Sequence, residues 1–172
     1  MLNSITKTII SSAIIITPFL ATSQVQAADE NNYDSSSCIT IFGTATLNSW
    51  GALENNSSTS TLGVRCPIQR DRNHKLLDSA DSFILVRDHT NSGRVSCTIR
   101  HNLLGSLNTI TSQSITASTD TAFSSTAYRQ LTFPARSFTN ANEGSFYLYC
   151  TIPPRQTGNL ASSINSFHID ED

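Results

Sequence analysis

Four cysteines, Cys38, Cys66, Cys97 and Cys150, are the residues of this 172-residue chain whose type and spacing most directly imply chemistry. Two outcomes compete: oxidation to disulfides, or capture of a metal such as zinc. Zinc sites usually draw on closely spaced CxxC-type pairs, and the spacings here are wide. Disulfides are therefore expected, and no metal. Four cysteines allow three pairings. The strand phases described below favour Cys38–Cys66 and Cys97–Cys150, the second joining two cleanly alternating strands, and the other pairings stay open. Each bond is worth roughly 2–4 kcal/mol, mainly by restricting the unfolded chain.

Acid–base chemistry has weaker candidates. Asp88-His89 is the most suggestive pair, in a turn where functional groups often lie. The plainer expectation is that Asp88 caps local backbone amides beside an exposed His89. His74 with Asp71 suits a solvated charged turn better than a metal or anion site. His101 and His168 read as strand-surface residues. No GxSxG elbow, HExxH, phosphate-binding glycine loop or EF-hand loop occurs. Serine is so abundant that a Ser-His-Asp trio carries no information. The carboxylates Glu30, Glu54, Glu143 and Glu171 form no facing pair of the glycosidase kind. No catalytic residue and no cofactor is assigned. The acidic stretches around Asp29-Glu30 and Asp170-Glu171-Asp172 hold oxygen ligands suited to calcium, but disordered ends are the default expectation.

Binding has better candidates. Tyr147 and Tyr149 are two residues apart on a strand whose other phase holds Cys150, so they project together from one sheet face. Aromatic faces attract the C–H surfaces of sugars and other apolar partners. Tyrosine is also simply a favoured strand residue, which weighs against a special role. Trp50, the only tryptophan, lies in the loop Asn48-Ser49-Trp50-Gly51, where a contact role is open but core burial is the first expectation. A glycan or a surface protein is the partner these three residues suggest.

The elements that must position these residues begin after residues 1–27. That segment reads as a cleaved signal peptide: Lys7, an apolar run from Ile9 to Leu20, and small residues at Val25 and Ala27. The run is too short to span a membrane, which takes roughly 20 apolar residues. Export to an extracellular or periplasmic space follows, where thiols oxidise. Residues 28–37 are expected as a flexible acidic leader, and 38–172 as one β-sandwich domain.

Strands are expected over Cys38–Leu47 with Gly43 as a bulge, Leu62–Ile68, Ser82–Asp88, Gly93–Asn102, Arg129–Phe133, Ser145–Ile152 and Ser163–Ile169. Residues 103–126 should add one or two short exposed strands. Ser82–Asp88 and Gly93–Asn102 read as a hairpin across a six-residue turn. Cys66, Cys97 and Cys150 fall in the apolar phase. Short strands, polar turns and no helical stripe predict an all-β fold: an antiparallel β-sandwich, jelly-roll or Ig-like, stapled by disulfides. A small β-barrel is the alternative.

After removal of the signal, acids outnumber bases by about three, and Lys75 is the only lysine left. This argues against nucleic acid as a partner, since phosphate-driven binding needs a basic face. No second apolar run long enough for a membrane span follows the signal. Asn55 and Asn56 sit in overlapping glycosylation sequons.

The stretches GVRCPIQRD, RVSCTIR, FYLYCTIPP and SINSFHIDED resemble small secreted bacterial β-sandwich proteins of unknown function with paired cysteines. The resemblance covers most of the chain after the signal and implies fold and location, with no activity to carry over. Pilus subunits are similar in being exported disulfide-containing sandwiches, but this chain lacks their C-terminal tyrosine pattern. The function expected is a secreted, non-catalytic binding or adhesion module. The alternatives are a small extracellular hydrolase and a structural or assembly component.

Overall fold

A computed structural model describes residues 31–69, 82–91, 93–104, 110–119, 127–134, 136, 138, 144–158 and 160–170. The signal segment, His74 with Asp71, Glu143 and Glu171 lie outside the described residues. Among the described residues eleven strands form two antiparallel sheets. They are β1 (Asn31–Asp34), β2 (Ile39–Phe42), β3 (Ala45–Leu47), β4 (Leu53–Asn55), β5 (Leu62–Ile68), β6 (Phe83–Arg87), β7 (Ser96–Leu104), β8 (Ile110–Ser118), β9 (Arg129–Thr132), β10 (Ser145–Ile152) and β11 (Ser162–Ile169). One sheet runs β3-β4-β11-β6-β9, with β1 also paired to β11; the other runs β2-β5-β10-β7-β8. Successive strands repeatedly change sheet, in the manner of a jelly roll. The expected sandwich is the observed architecture.

The core forms where the inward phases of the two sheets meet. Val64, Cys66, Ile99, Leu148, Cys150 and Ile152 of the five-stranded sheet are fully buried, as are Ile84, Val86, Ile164 and Ile169 of the other. In β10 the alternation is strict: Phe146, Leu148, Cys150 and Ile152 are buried, while Tyr147, Tyr149 and Thr151 are only half-buried. Period-2 burial of this kind fixes register, because a one-residue slip would exchange the two faces.

Both disulfides lie inside the five-stranded sheet. Cys97 and Cys150 are directly opposed in the β7–β10 ladder, with Cα atoms 4.1 Å apart. Cys38 bonds Cys66 at a Cα separation of 4.0 Å, extending the β2–β5 register by one pair. Neither bond crosses between sheets. The sandwich is therefore held by its apolar interior, and the staples stiffen one layer.

Several local expectations change. Asn31–Asp34, read as part of a loose leader, is strand β1, in register with β11 from Asn31↔Ile169 to Asp34↔Ser166. Tyr33 stacks on Phe167 at 4.8 Å, and the Asp34 carboxylate caps the following 3-10 turn through Ser36 N at 2.7 Å. The stretch from Cys38 to Leu47 is two strands in different sheets. Gly43, at φ +82°, is where the chain crosses, and a Cβ there would meet backbone at 2.9 Å. The Ser82–Asp88 and Gly93–Asn102 segments do not pair: β6 joins β9 and β11, whereas β7 joins β8 and β10. The Asp88 carboxylate holds the connection over the sandwich end, as described below. β8 is a nine-residue strand, longer than expected, with Ile115 and Ala117 inward.

Candidate functional site

Tyr147 and Tyr149 stand on the outer face of β10, the central strand of the five-stranded sheet. The ladders on either side set what surrounds them. One cross-row reads Ile39, Arg65, Tyr149, Thr98 and Thr116; the next reads Pro67, Tyr147, Arg100 and Ser114. A third row holds Gly63, Thr151, Ser96 and Ser118. Outward positions of a pleated sheet lie about 4.8 Å apart across strands and roughly 7 Å apart along them. The result is a continuous face with two aromatic rings at its centre and hydroxyls on its flank. Thr98 and Thr116 share a hydrogen bond at 2.8 Å, which fixes that flank.

Each tyrosine carries an arginine. The Arg65 guanidinium lies over the Tyr147 ring at 4.1 Å and that of Arg100 over Tyr149 at 5.3 Å. In the ladder Arg65 opposes Tyr149 and Arg100 opposes Tyr147, so both arginines reach diagonally across the face. Distances below about 6 Å place both in the cation–π range. Beside them a depression of about 350 Å³ is lined by Ser37, Ile39, Arg65, Pro67, Ser145, Phe146 and Tyr147. Pro67 fits on this strand because β2 pairs β5 only over Gly63–Arg65, so no ladder bond from β2 is needed at Pro67.

The face is electrostatically one-sided. None of its five strands contains an Asp or Glu. Arg65 and Arg100 are exposed, and among the described residues neither has a carboxylate partner. The Glu54–Arg87 pair, at 2.7 Å, belongs to the other sheet, where Glu54 also accepts from Asn48 Nδ2 at 2.7 Å.

Other residues singled out by sequence lie elsewhere. Trp50 is 83% exposed, on the turn between β3 and β4 in the other sheet, and is not a core residue. Asn48 Oδ1 accepts from Trp50 N at 2.9 Å and Ala52 N at 3.0 Å, so the indole is held out on a fixed turn. The fold thus unites the two tyrosines and leaves Trp50 on the other sheet.

Asp88 is fully buried and accepts four hydrogen bonds: from Thr90 N at 3.1 Å, Val95 N at 3.2 Å, Ser162 Oγ at 3.2 Å, and Thr119 Oγ1. It ties together both ends of the β6–β7 connection, the end of β8 and the start of β11. Its neighbour His89, expected to be exposed, is 4% exposed. Desolvation, followed by the Arg87 charge, pushes the imidazole pKa below its ordinary 6.5. These are the positions of a structural knot.

His101 and His168 are also buried. The His101 ring stacks on Phe146 at 4.1 Å, in the inward phase it shares with Cys97 and Ile99. His168 points outward but is covered by Phe83, at 4.9 Å, and Asn32, whose Oδ1 lies 3.1 Å from Nδ1. Asn55 is fully buried, its amide donating to the carbonyls of Ser60 and Ile152, both at 2.9 Å, and Pro153, at 3.0 Å; this removes it as a glycan acceptor. Among the described residues no group of three or more His, Cys, Asp or Glu is placed to hold a metal.

Sequence reasoning missed Arg65, Arg100, Ile39 and Pro67 as members of the site. Their signal was present: each occupies the outward phase of its own strand. What placed them beside the tyrosines was the order of strands in the sheet.

No known family's model matches the sequence, and no curated protein is significantly similar to it. Solved structures that resemble the chain include the following two. A family two carbohydrate esterase from Cellvibrio japonicus aligns with 83% of this chain at 8% identity and a TM-score of 0.42. This chain spans 34% of that protein's length. A low-affinity xylan binding module from the gut symbiont Roseburia intestinalis aligns over 83% of this chain and 96% of its own, at 12% identity and a TM-score of 0.39.

Proposed function

We propose that the protein is an exported, non-catalytic binding module whose ligand is a glycan, held on the outer face of the five-stranded sheet. The observation that carries this reading is the placement of Tyr147 and Tyr149 at the centre of a face flanked by the hydroxyls of Thr98, Thr116, Thr151 and Ser114. Sugar rings present both an apolar C–H surface and a rim of hydroxyls. A platform combining aromatic rings with hydroxyl groups addresses both. The depression beside Tyr147 gives the platform an edge, with Ile39 and Pro67 as further apolar surface.

Export is part of the proposal, supported by the signal-like first 27 residues and by two disulfides with no free cysteine among the described residues. The Asp88-His89 pair adds nothing to a hydrolase reading, because the Asp88 carboxylate is taken up by four donors of the fold.

The test is a polysaccharide panel with wild type and the Tyr147→Ala/Tyr149→Ala variant. Wild type should bind at least one glycan, and the variant should lose about tenfold or more in affinity while keeping its melting temperature within a few degrees. Unchanged binding by the variant removes the face from the proposal. Absence of binding to every glycan removes the glycan.

A further inference from the structure

The arrangement of arginines on the tyrosine face narrows the ligand class. We infer that the face selects acidic polysaccharides, with Arg65 and Arg100 as receptors for uronate carboxylates. The inference rests on the glycan reading above and adds the charge of the ligand to it.

Three observations carry it. First, the tyrosine rings are not bare: each has a guanidinium stacked on it, Arg65 on Tyr147 and Arg100 on Tyr149. A ligand approaching from solvent meets those guanidiniums as well as the rings. Stacking occupies only the flat side of a guanidinium. Its N–H donors lie in the plane and stay available at the rim, in the fork geometry that matches a carboxylate. Second, among the described residues no carboxylate on the face competes. The five strands hold no Asp or Glu, and among the described residues neither arginine is in an ion pair. Arg87 of the other sheet shows the contrast, being paired with Glu54 at 2.7 Å. Third, the two arginines flank one strand and are offset along it by two residues, which puts their Cα atoms roughly 12 Å apart. Separate receptors of this kind suit a polymer that repeats its charge better than one small anion. The depression next to Arg65 and Tyr147, with Ile39 and Pro67 in its wall, would take the apolar side of a sugar ring whose carboxylate meets Arg65.

The chain as a whole is acidic, with a formal net charge of −2. Bulk charge alone predicts repulsion of a polyanion. Recognition would therefore be local, through two directed groups.

The experiment compares polygalacturonate with the same polymer methyl-esterified, and alginate with neutral xylan, using the exported chain with its disulfides intact. Wild type should prefer the free acid over its ester by about tenfold or more, and raising salt from low to physiological strength should erode that preference, since exposed charges are screened. Arg65→Gln/Arg100→Gln should abolish the preference while retaining residual binding through the tyrosines. Both arginines are exposed, so the variant should fold normally. Equal affinity for acid and ester, or a preference that survives the double variant, overturns the inference and leaves the glycan reading standing. Failure to bind any acidic or neutral glycan overturns both.

Discussion

Asp88 shows how a residue that looks chemical serves structure. A buried carboxylate normally needs compensation, and here two backbone amides and two hydroxyls provide it. Asp88→Ala removes a shared acceptor of four donors, of which Val95 N keeps its bond to Thr119 Oγ1 at 3.0 Å, and should cost about 2–4 kcal/mol in urea unfolding. His89 beside it makes a different prediction. Its folded pKa is depressed, by burial first and Arg87 second, while in the unfolded chain it returns to about 6.5. As pH falls through that value the unfolded state takes up the proton first, so stability is full above it and declines below it. Between about pH 7.5 and about pH 5.5 the wild type should therefore lose stability, and His89→Gln should lose measurably less. An identical slope in the variant would exclude His89 as the source. The acid–base look of the pair was legible from adjacency alone; its role was not, because Ser162 and Thr119 come from distant strands.

At the scale of elements, the β2–β5 pairing depends on a missing side chain. Gly63 faces outward, and the Phe42 ring lies where its side chain would be; an added Cβ would fall 2.3 Å from Phe42 Cε1. Gly63→Ala should therefore destabilise by about 1–3 kcal/mol through overpacking. The same change made together with Phe42→Ala should cost much less than the sum of the two, which a double-mutant cycle would show. β2 itself is an edge strand, with Ile39 58% and Ile41 51% exposed. Strand existence was well indicated by alternation in β5 and β10, where the residues expected inward are buried; in β11 Phe167 and Ile169 are buried as expected, but so are Ser163 and His168. Pairing was not. The β6–β7 hairpin was expected because the two segments are close in sequence. In the fold they belong to different sheets, each paired with strands from elsewhere in the chain.

At the scale of the molecule, both disulfides lie in the sheet that carries the candidate site, and Cys97–Cys150 joins β7 to the strand bearing both tyrosines. It closes the longer loop, 53 residues against 28, and Cys97 and Cys150 are both fully buried. Replacing that pair with alanine should cost roughly 4 kcal/mol, and somewhat more than replacing Cys38 and Cys66, as measured by denaturant midpoints. A smaller loss for Cys97–Cys150 would mean that packing of β7 against β10 already supplies the order.

The division between sequence and fold follows from the range of the forces involved. Alternation and turn residues act within a few residues, so the sequence by itself determined most of the strands, the inward phase of the clearest ones and the sandwich class. It also determined that Tyr147 and Tyr149 share a face, because a pleat repeats every two residues. The partners of those tyrosines depend on which strands flank β10. That choice is made by burial summed over two whole sheets, and only the tertiary structure decided it. It brought Arg65 from β5 and Arg100 from β7 onto the rings, 35 residues apart in sequence yet separated in space by a single strand.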